Sequence, residues 1–482
     1  MILILGWVFV PFYSRSMVYT MPEFLERRYN PQSRTILSVI SLVSYVLTKV
    51  AVTVYAGGLV FQQVFGIKEL WGIDFFWIAA IGLVVLTALY TIFGGMKSVL
   101  YTSVLQTPIL LLGSLIILVL GFKELGGWDE MMRVCGAVTV NDYGDTMTNL
   151  IRSNDDANFP WLGALIGSAI IGFWYWCTDQ FIVQRVLSGK NEMEARRGTI
   201  FGAYLKLLPV FLFLIPGMIA FALHQKYIGA GGEGFLPMLA NGTANADAAF
   251  PTLVAKLLPA GVKGLVVCGI LAALMSSLAS LFNSSAMLFT IDFYKRFKPE
   301  TPEKKLVGIG QIATIVIVVL GILWIPIMRS VGDVLYTYLQ DVQSVLAPGI
   351  AAAFLLGICW KRTSAQGGMW GLISGMVIGL TRLGAKVYYS NAGEVADSTF
   401  KYLFYDMNWL FFCGWMFLFC IIVVIVVSLA TEAPTAEKIQ GLVFGTATKE
   451  QKAATRASWD HWDIIHTVII LAITGAFYWY FW

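Results

Sequence analysis

The sequence predicts an all-α, polytopic membrane protein, and three observations lead to that fold class. Of the 482 residues, 58% are hydrophobic and only 13% are charged, which is about half the charged fraction of an ordinary soluble domain. The apolar residues cluster in stretches of about 20, the length that a helix needs to cross the hydrocarbon core. No soluble chain of this length could bury so much apolar surface in one core. We therefore predict about 12 transmembrane segments.

The predicted segments follow one another along a single transmembrane domain, residues 1–482. The chain opens on an apolar run of about 13 residues, too short to span, so we expect a partial first segment. Eleven full segments follow, at 35–63, 74–93, 99–121, 160–184, 200–224, 258–290, 307–328, 334–360, 366–389, 408–430 and 463–482. The long loops 122–159 and 225–257 are rich in Gly, Asn, Asp and Thr, which predicts mostly irregular structure.

Charge and motif content exclude several classes of function. Lys and Arg concentrate in alternate loops, which predicts a multi-pass protein of the plasma (cell inner) membrane with those loops in the cytoplasm. A net charge of +4 spread over many loops gives no reason to expect nucleic acid as a partner. No nucleotide-binding GxxxxGK[ST] loop is present, so uphill work would need an ion gradient. No nucleophile, acid–base pair or metal cluster stands out, so we do not predict an enzyme.

Two lysines lie inside apolar segments, where an ionisable group is costly. Lys49 sits mid-segment, and Lys206 lies about one-third of the way into its segment. Such a lysine faces a water-filled cavity, pairs with a partner, or extends to the membrane interface. The cavity interpretation makes both ammonium groups donors to the hydroxyls of a substrate.

Aromatic and hydroxyl residues mark two further candidate positions. Tyr175 lies well inside its segment, at a depth that suits closing a cavity or stacking on a sugar ring, although Trp and Tyr also form interfacial belts. Ser276, Ser280 and Ser284 form a stripe on one helix face, with Ser277 beside it. Hydroxyl and carbonyl oxygens suit sodium, but small residues also line packed membrane helices, which explains Ser280 and Ser284 without an ion.

A polar stretch between Gly332 and Pro348 predicts an interrupted helix, with a surface turn as the alternative. Transporters use interrupted helices to expose backbone polar groups at a midplane site. Gln340 lies in this stretch, where its amide could hydrogen-bond a neutral polyol.

Six motifs together resemble the sodium/solute symporter family, in its sodium/glucose cotransporter branch. They are Met-Pro-Glu-Phe-Leu-Glu-Arg-Arg-Tyr (21–29), Tyr-Thr-Ile-Phe-Gly-Gly (90–95), Trp-Tyr-Trp-Cys-Thr-Asp-Gln-Phe-Ile-Val-Gln-Arg (174–185), Tyr-Leu-Lys-Leu-Leu-Pro (204–209), Leu-Met-Ser-Ser-Leu-Ala-Ser-Leu-Phe-Asn-Ser (274–284) and Phe-Leu-Leu-Gly-Ile-Cys-Trp-Lys-Arg (354–362). The resemblance covers nearly the whole chain in order. It implies a five-plus-five inverted-repeat (LeuT-like) transporter fold, in which sodium and a sugar bind near the midplane.

The resemblance also implies roles for individual residues. Matched motif by motif, sodium would bind at Ala273, Ser276 and Ser277. Tyr175 would be the inner gate and stack under the sugar, while the other sugar contacts would be Lys49, Lys206 and Gln340. The implied activity is sodium-coupled import of a glucose- or galactose-like hexose by alternating access.

Two departures from the family pattern leave alternatives open. The resemblance places the family's first two helices and the start of the next before residue 1. Ser103 stands where relatives usually carry an aspartate, which implies one sodium per cycle. Inositol, another polyol or an organic solute therefore remains an alternative substrate, and a non-transporting sugar sensor remains an alternative function.

Overall fold

The computed structural model of the protein describes residues 1–481 except 17, 19, 240–241, 332–333 and 393–395. The side chains at 90, 92–100, 102, 103, 105 and 329–331 also lie outside the description, and Ser103 is among them. The described chain is almost entirely helical. Its two short strands, Glu69–Leu70 and Ile73–Asp74, form an antiparallel hairpin. Trp71 and Gly72 form the turn with φ of 55° and 75°, as a two-residue hairpin of this hand requires.

Most of the α-helices are long enough to make two turns or more. In chain order, those of eight residues or more are Met21–Arg28, Pro31–Ser44, Ala51–Phe65, Phe75–Leu125, Trp128–Gly136, Trp161–Phe173, Gln180–Leu187, Glu192–Pro209, Ile215–Gly229, Ala249–Leu257, Ala260–Met287, Glu303–Val331, Leu335–Cys359, Ala365–Asn391, Trp409–Ala430, Lys449–Ala457 and His461–Tyr480. Short π-helical turns occur at Leu5–Phe9, Tyr45–Val50, Trp174–Thr178, Val210–Leu214, Leu288–Tyr294 and Tyr402–Asp406. Several of these turns join two α-helices into one longer rod.

Helices long and apolar enough to cross a membrane account for most of the predicted segments. Among the described residues there are nine such helices, or ten if Ile2–Ser16 and Met21–Arg28 count as one bent span. Phe75–Leu89 is a shorter apolar helix, and Ala365–Asn391 is a 27-residue helix that covers the predicted segment 366–389. The protein is a multi-pass membrane protein whose spans are helical.

The predicted segments 74–93 and 99–121 are joined by a continuous helical backbone. One helix, Phe75–Leu125, runs through both for 51 residues. The link between the segments contains Gly94 and Gly95 but no proline, so no backbone hydrogen bond has to be lost there. At 1.5 Å per residue this helix is about 76 Å long, well over twice the roughly 30 Å of hydrocarbon.

The prediction of mostly irregular long loops is partly wrong. The loop from 122 contains the helix Trp128–Gly136, and the loop from 225 contains Ala249–Leu257. Both short helices bury apolar side chains, such as Met131 and Leu253, against neighbouring spans. Each helix has only nine residues, about two and a half turns, which is too short to stand out within a long polar loop of the sequence.

The described chain divides into two compact units. The first comprises Met1–Thr48, Arg152–Tyr204 and Ser284–Trp479, and the second comprises Lys49–Ile151, Leu205–Asn283 and Tyr480–Trp482. The core of the first unit contains Phe24 stacked on Phe354, with ring centroids 5.9 Å apart. The core of the second is built on residues such as Ile117, Ile219 and Leu253.

A stripe of glycines lets two helices of the first unit pack backbone to backbone. A Cβ added to Gly375 of helix Ala365–Asn391 would lie 2.6 Å from the Cα of Gly349 on helix Leu335–Cys359. A Cβ on Gly379 would collide with the carbonyl of Val345. Because lipid tails are as apolar as leucine, membrane helices associate through such close packing.

We expect Gly375→Ala to destabilise the protein by about 1–3 kcal/mol, since the new methyl group must push two backbones apart. Gly384→Ala on the same helix is the matched control, because a Cβ there meets nothing within 4 Å. The midpoint of thermal unfolding in one detergent compares the two variants. Equal midpoints for both would show that the glycine contact does not determine the helix spacing.

Candidate functional site

The predicted sodium residues share one turn of helix Ala260–Met287 in the second unit. Ser276 is 7% exposed, whereas Ser277 is exposed and Ala273 is half-buried. The hydroxyl of Ser280, which is fully buried, donates to the carbonyl oxygen of Ser276 at 3.0 Å. The turn therefore presents two neighbouring hydroxyls, the donor type that a hard cation such as sodium accepts without a net negative charge.

The remaining serines of the stripe have packing roles, as their spacing predicts. Ser280 bonds within its own helix, and Ser284 accepts a hydrogen bond of 2.5 Å from Nε2 of Gln184 within the first unit. Both serines are fully buried. Ser280 and Ser284 therefore take part in helix packing, and Ser276 and Ser277 remain as the serines proposed for the ion.

Lys49 lies in the π-helical turn Tyr45–Val50, near the middle of the 35-residue candidate span Pro31–Phe65. It is half-buried. At 1.5 Å per residue this span is about 52 Å long, well over the roughly 30 Å of hydrocarbon, and Lys49 lies near its middle. A π-helical turn inserts an extra residue and re-aims the side chains around it, and such turns often mark functional sites. The position favours the cavity interpretation over snorkelling.

Lys206 lies near the end of helix Glu192–Pro209, just before the π-helical turn Val210–Leu214. Its side chain is exposed on the surface of the second unit. Pro209 closes the α-helix because a proline supplies no N–H to the ladder. Lys49 and Lys206 thus both lie in or beside a helical irregularity of this unit.

Tyr175 lies in the π-helical turn Trp174–Thr178 of the first unit. Its half-buried ring makes edge contacts with Trp174 and Trp176, at centroid distances of 6.3 and 5.2 Å. The predicted segment 160–184 is not one helix, because Asp179 adopts extended dihedrals and caps a new helix, Gln180–Leu187. Tyr175 is therefore one turn before a break in the span.

Gln340 lies on helix Leu335–Cys359, and its Nε2 donates to the hydroxyl of Tyr336 at 2.9 Å. Both the interrupted helix and the surface turn predicted after Gly332 are wrong within the described residues, since the helix continues through Pro348. Gly332 itself lies outside the described residues. Pro348 removes one backbone hydrogen bond, and it lies in the buried stretch Asp341–Phe354 of this helix.

Comparison with known proteins identifies the family. The sequence profile of the sodium:solute symporter family matches residues 1–375, more than three-quarters of the chain. The chain belongs to the sodium:solute symporter family. Its predicted site residues all fall within the matched region, and the family consists of transporters.

Full-length relatives agree with this assignment. A sodium/mannose cotransporter of Bos taurus is 35% identical and is aligned over 100% of this chain and 83% of its own length. Sodium/glucose cotransporter 1 of Ovis aries is 37% identical, over 90% of this chain and 67% of its own. Sodium/myo-inositol cotransporter 2 of Homo sapiens is 35% identical, over 92% and 67%.

A solved symporter structure confirms the fold class. It is described as the substrate-bound outward-open state of a Na+-coupled sialic acid symporter, and it matches with a TM-score of 0.66 at 21% identity. The match covers 90% of this chain and 81% of that chain. The fold of this symporter-family chain is therefore all-α and LeuT-like, as its motifs predict.

Polar residues after Tyr175 stabilise the break in the helix at Asp179. The hydroxyl of Tyr45, which is fully buried, donates to Oδ1 of Asp179 at 3.0 Å and accepts from the amide of Phe181. Gln180 is 1% exposed and accepts the amide of Met21 at 2.8 Å. Tyr45 was not predicted from the sequence, because its partner is 134 residues away.

A buried ion cluster next to Gln340 was not predicted either. Asp341 forms ion pairs with Arg382, at 3.6 Å, and with Lys386. Arg382 is fully buried, lies 4.0 Å over the ring of Phe412 and donates to the carbonyl of Met407 at 2.7 Å. The available signal was an acidic and two basic residues inside the predicted segments 334–360 and 366–389.

Proposed function

We propose that this protein imports a hexose-like sugar by sodium-coupled symport, through alternating access. The observation that carries the proposal is the similarity over nearly the whole chain to cotransporters named for mannose and glucose, at 35% and 37% identity. Sodium is the co-transported ion of the family to which the chain belongs. The sugar and the ion are both cargo, and the lipid bilayer is the solvent of the helices.

The proposed sodium site consists of the backbone carbonyl of Ala273 and the hydroxyls of Ser276 and Ser277. Sodium is hard and monovalent, so neutral oxygens hold it while still allowing release. The buried Ser276 limits access of water, whereas the exposed Ser277 offers a way in. Coupling requires that sodium favours the state that binds sugar, which is a linkage between two sites.

Each unit contains residues that we propose to contact the sugar. In the second unit the ammonium groups of Lys49 and Lys206 donate to hydroxyls. In the first unit the amide of Gln340 both donates and accepts, and the ring of Tyr175 covers an apolar sugar face. Hydroxyl-rich neutral ligands need several such partners, because each sugar hydroxyl that loses water without replacement is costly.

A second substrate, myo-inositol, is favoured by one observation. The human sodium/myo-inositol cotransporter 2 is as similar to this chain as the cattle mannose cotransporter is, at 35% identity. A cyclic polyol presents the same hydroxyl pattern to lysine and glutamine donors. Uptake measurements with hexoses and with myo-inositol distinguish the two substrate classes.

The test is uptake of radiolabelled mannose, glucose and myo-inositol by the full chain in proteoliposomes. An inward sodium gradient should drive accumulation of at least one of them, and a choline gradient should not. Accumulation of myo-inositol alone would replace the hexose assignment by the polyol one. Substrate binding without uptake would favour the sensor and contradict the symport proposal.

Gln340→Ala is expected to raise the KM for sugar about tenfold, the loss of one or two hydrogen bonds. The sodium concentration at half-maximal uptake should change little, because Gln340 is not a proposed ion ligand. Tyr336→Phe is the comparison, because it removes the hydroxyl to which the amide of Gln340 donates but keeps the amide itself. A variant Gln340→Ala with unchanged KM would remove this residue from the sugar site.

We assign the protein to the plasma membrane, with its basic loops in the cytoplasm. Lys361 and Arg362 belong to these loops, and Arg27 and Arg28 lie in the last turn of helix Met21–Arg28. Because the family profile and the relatives run across the chain, residues 1–482 are treated as one transport domain.

A further inference from the structure

A cavity of about 580 Å³ opens in the first unit, and its lining includes neither of the proposed sugar residues of that unit. It is lined by the end of helix Met21–Arg28, the start of helix Ala365–Asn391 and the chain that follows helix Trp409–Ala430. Its volume is in the range of small-ligand pockets. With the basic loops in the cytoplasm, as proposed above, the cavity lies at the cytoplasmic end of these helices.

Arg28 lines this cavity and is only 1% exposed. Its Nε donates to the carbonyl of Gly357 at 2.6 Å and its Nη2 to that of Trp360 at 3.3 Å, so it caps the end of helix Leu335–Cys359. Among the described residues, its Nη1 has no hydrogen-bond partner. Helix capping therefore uses two of the three guanidinium nitrogens of Arg28, and Nη1 keeps its hydrogen-bonding capacity.

The start of helix Ala365–Asn391 adds a second positive element. Ser364 caps this 27-residue helix by accepting the amide of Gly367 at 3.0 Å. The cap does not reach the amides of Ala365 and Gln366, two residues that line the cavity. Unsatisfied amides and the helix dipole at an N-terminus attract anions, phosphate in particular.

The charged residues of the lining are mostly basic. Lys438 lines the cavity with an exposed side chain, and Glu432 is the acidic residue in the lining. The hydroxyl of Thr431 donates to the carbonyl of Val427 and is bonded to the hydroxyl of Ser364 at 2.7 Å, so both hydroxyls serve the packing of the lining. A guanidinium, an ammonium and helix amides are groups that hold a phosphate group.

We infer that this cavity binds a phosphate group carried by a lipid headgroup or by a soluble phosphorylated compound. Both sources present the same oxygens to Arg28, Lys438 and the amides of Ala365 and Gln366. The position at the end of membrane helices gives access to headgroups, and basic pockets at cytoplasmic helix ends recognise anionic lipids. This site is independent of the proposed transport of sugar.

The test uses the purified full chain in a phosphate-free, non-ionic detergent. Binding is measured by native mass spectrometry with dioleoyl phosphatidylglycerol, and by thermal shift with inorganic phosphate, with dioleoyl phosphatidylcholine as the zwitterionic comparison. We expect tighter binding of phosphatidylglycerol than of phosphatidylcholine, or a phosphate-dependent shift. Phosphatidylglycerol binding alone identifies the lipid source, and a shift with inorganic phosphate identifies the soluble one.

Three substitutions in the lining and one control elsewhere test whether the binding is in this cavity. Lys438→Gln should weaken binding at least fivefold, and Glu432→Gln should strengthen it, because it removes the opposing charge. Lys305→Gln, at the exposed start of helix Glu303–Val331, is the matched control and should leave affinity unchanged. Arg28→Gln should weaken binding further, and if it does not fold, the two surface variants decide alone. Binding of neither ligand by the wild type, or equal affinity in all variants, overturns the proposal.

Discussion

Uptake driven by sodium is expected to fall more than tenfold when Ser276 and Ser277 are both replaced by alanine. The double substitution removes the two neighbouring hydroxyls that helix Ala260–Met287 presents at this turn. Each lost oxygen ligand must be replaced by water or left unfilled, so the sodium concentration at half-maximal uptake should rise steeply. The measurement is initial sugar uptake in proteoliposomes across a sodium titration.

Ser280→Ala is the matched control for this experiment. Ser280 lies one turn further along the same helix, is equally small and is fully buried. Its hydroxyl donates to the carbonyl oxygen of Ser276, a bond within the helix that alanine can lose with little change in structure. A control variant that lost sodium dependence as severely as the double variant would contradict the assignment of the ion to Ser276 and Ser277.

The second large effect expected is on folding, from Asp292→Ala in the first unit. Asp292 is fully buried, and its Oδ1 accepts from Nε of Arg34 at 2.7 Å and from the hydroxyl of Thr20 at 3.0 Å. Removing the carboxylate leaves Arg34 with Glu26 as its remaining partner, at 2.6 Å, and leaves the hydroxyl of Thr20 without its acceptor, a loss of about 1–3 kcal/mol. The folded fraction after detergent extraction and the thermal midpoint should both fall.

Glu23→Gln provides the comparison, because Glu23 pairs with Arg27 on the surface of helix Met21–Arg28. A surface pair of this i, i+4 spacing contributes only about 0.3–0.5 kcal/mol. Asp292→Asn, which keeps an acceptor but removes the charge, should lie between the two. If Asp292→Ala lowers the midpoint no more than Glu23→Gln does, the buried network is not a determinant of stability.

Much of the fold could be predicted from the sequence, because the relevant signal is local. Apolar length alone locates most spans, and the family motifs predict the LeuT-like class that the structural comparison confirms. The depth of Lys49 and Tyr175 in their segments is likewise a property of a few neighbouring residues. Their roles in binding, and those of Lys206, Gln340 and the sodium residues, stay predictions.

The failures of prediction all concern the path of the backbone or a distant partner. The break at Asp179 depends on Tyr45, 134 residues away, and the continuity of helix Leu335–Cys359 through Pro348 depends on its packing against neighbouring helices. Hydropathy is the same for a proline that breaks a helix and one that is accommodated. No window of sequence contains the information that separates the two.

Local sequence is enough to establish a membrane protein of many helices in a symporter family, since hydropathy adds up residue by residue and motifs are contiguous. Which polar groups hold the helices together depends instead on the tertiary structure. The contact of Gly349 with Gly375, the pair of Asp341 with Arg382, and the unused donor of Arg28 all arise between segments far apart in the chain. Burial makes each of these contacts costly to lose, and burial is set by packing, not by local composition.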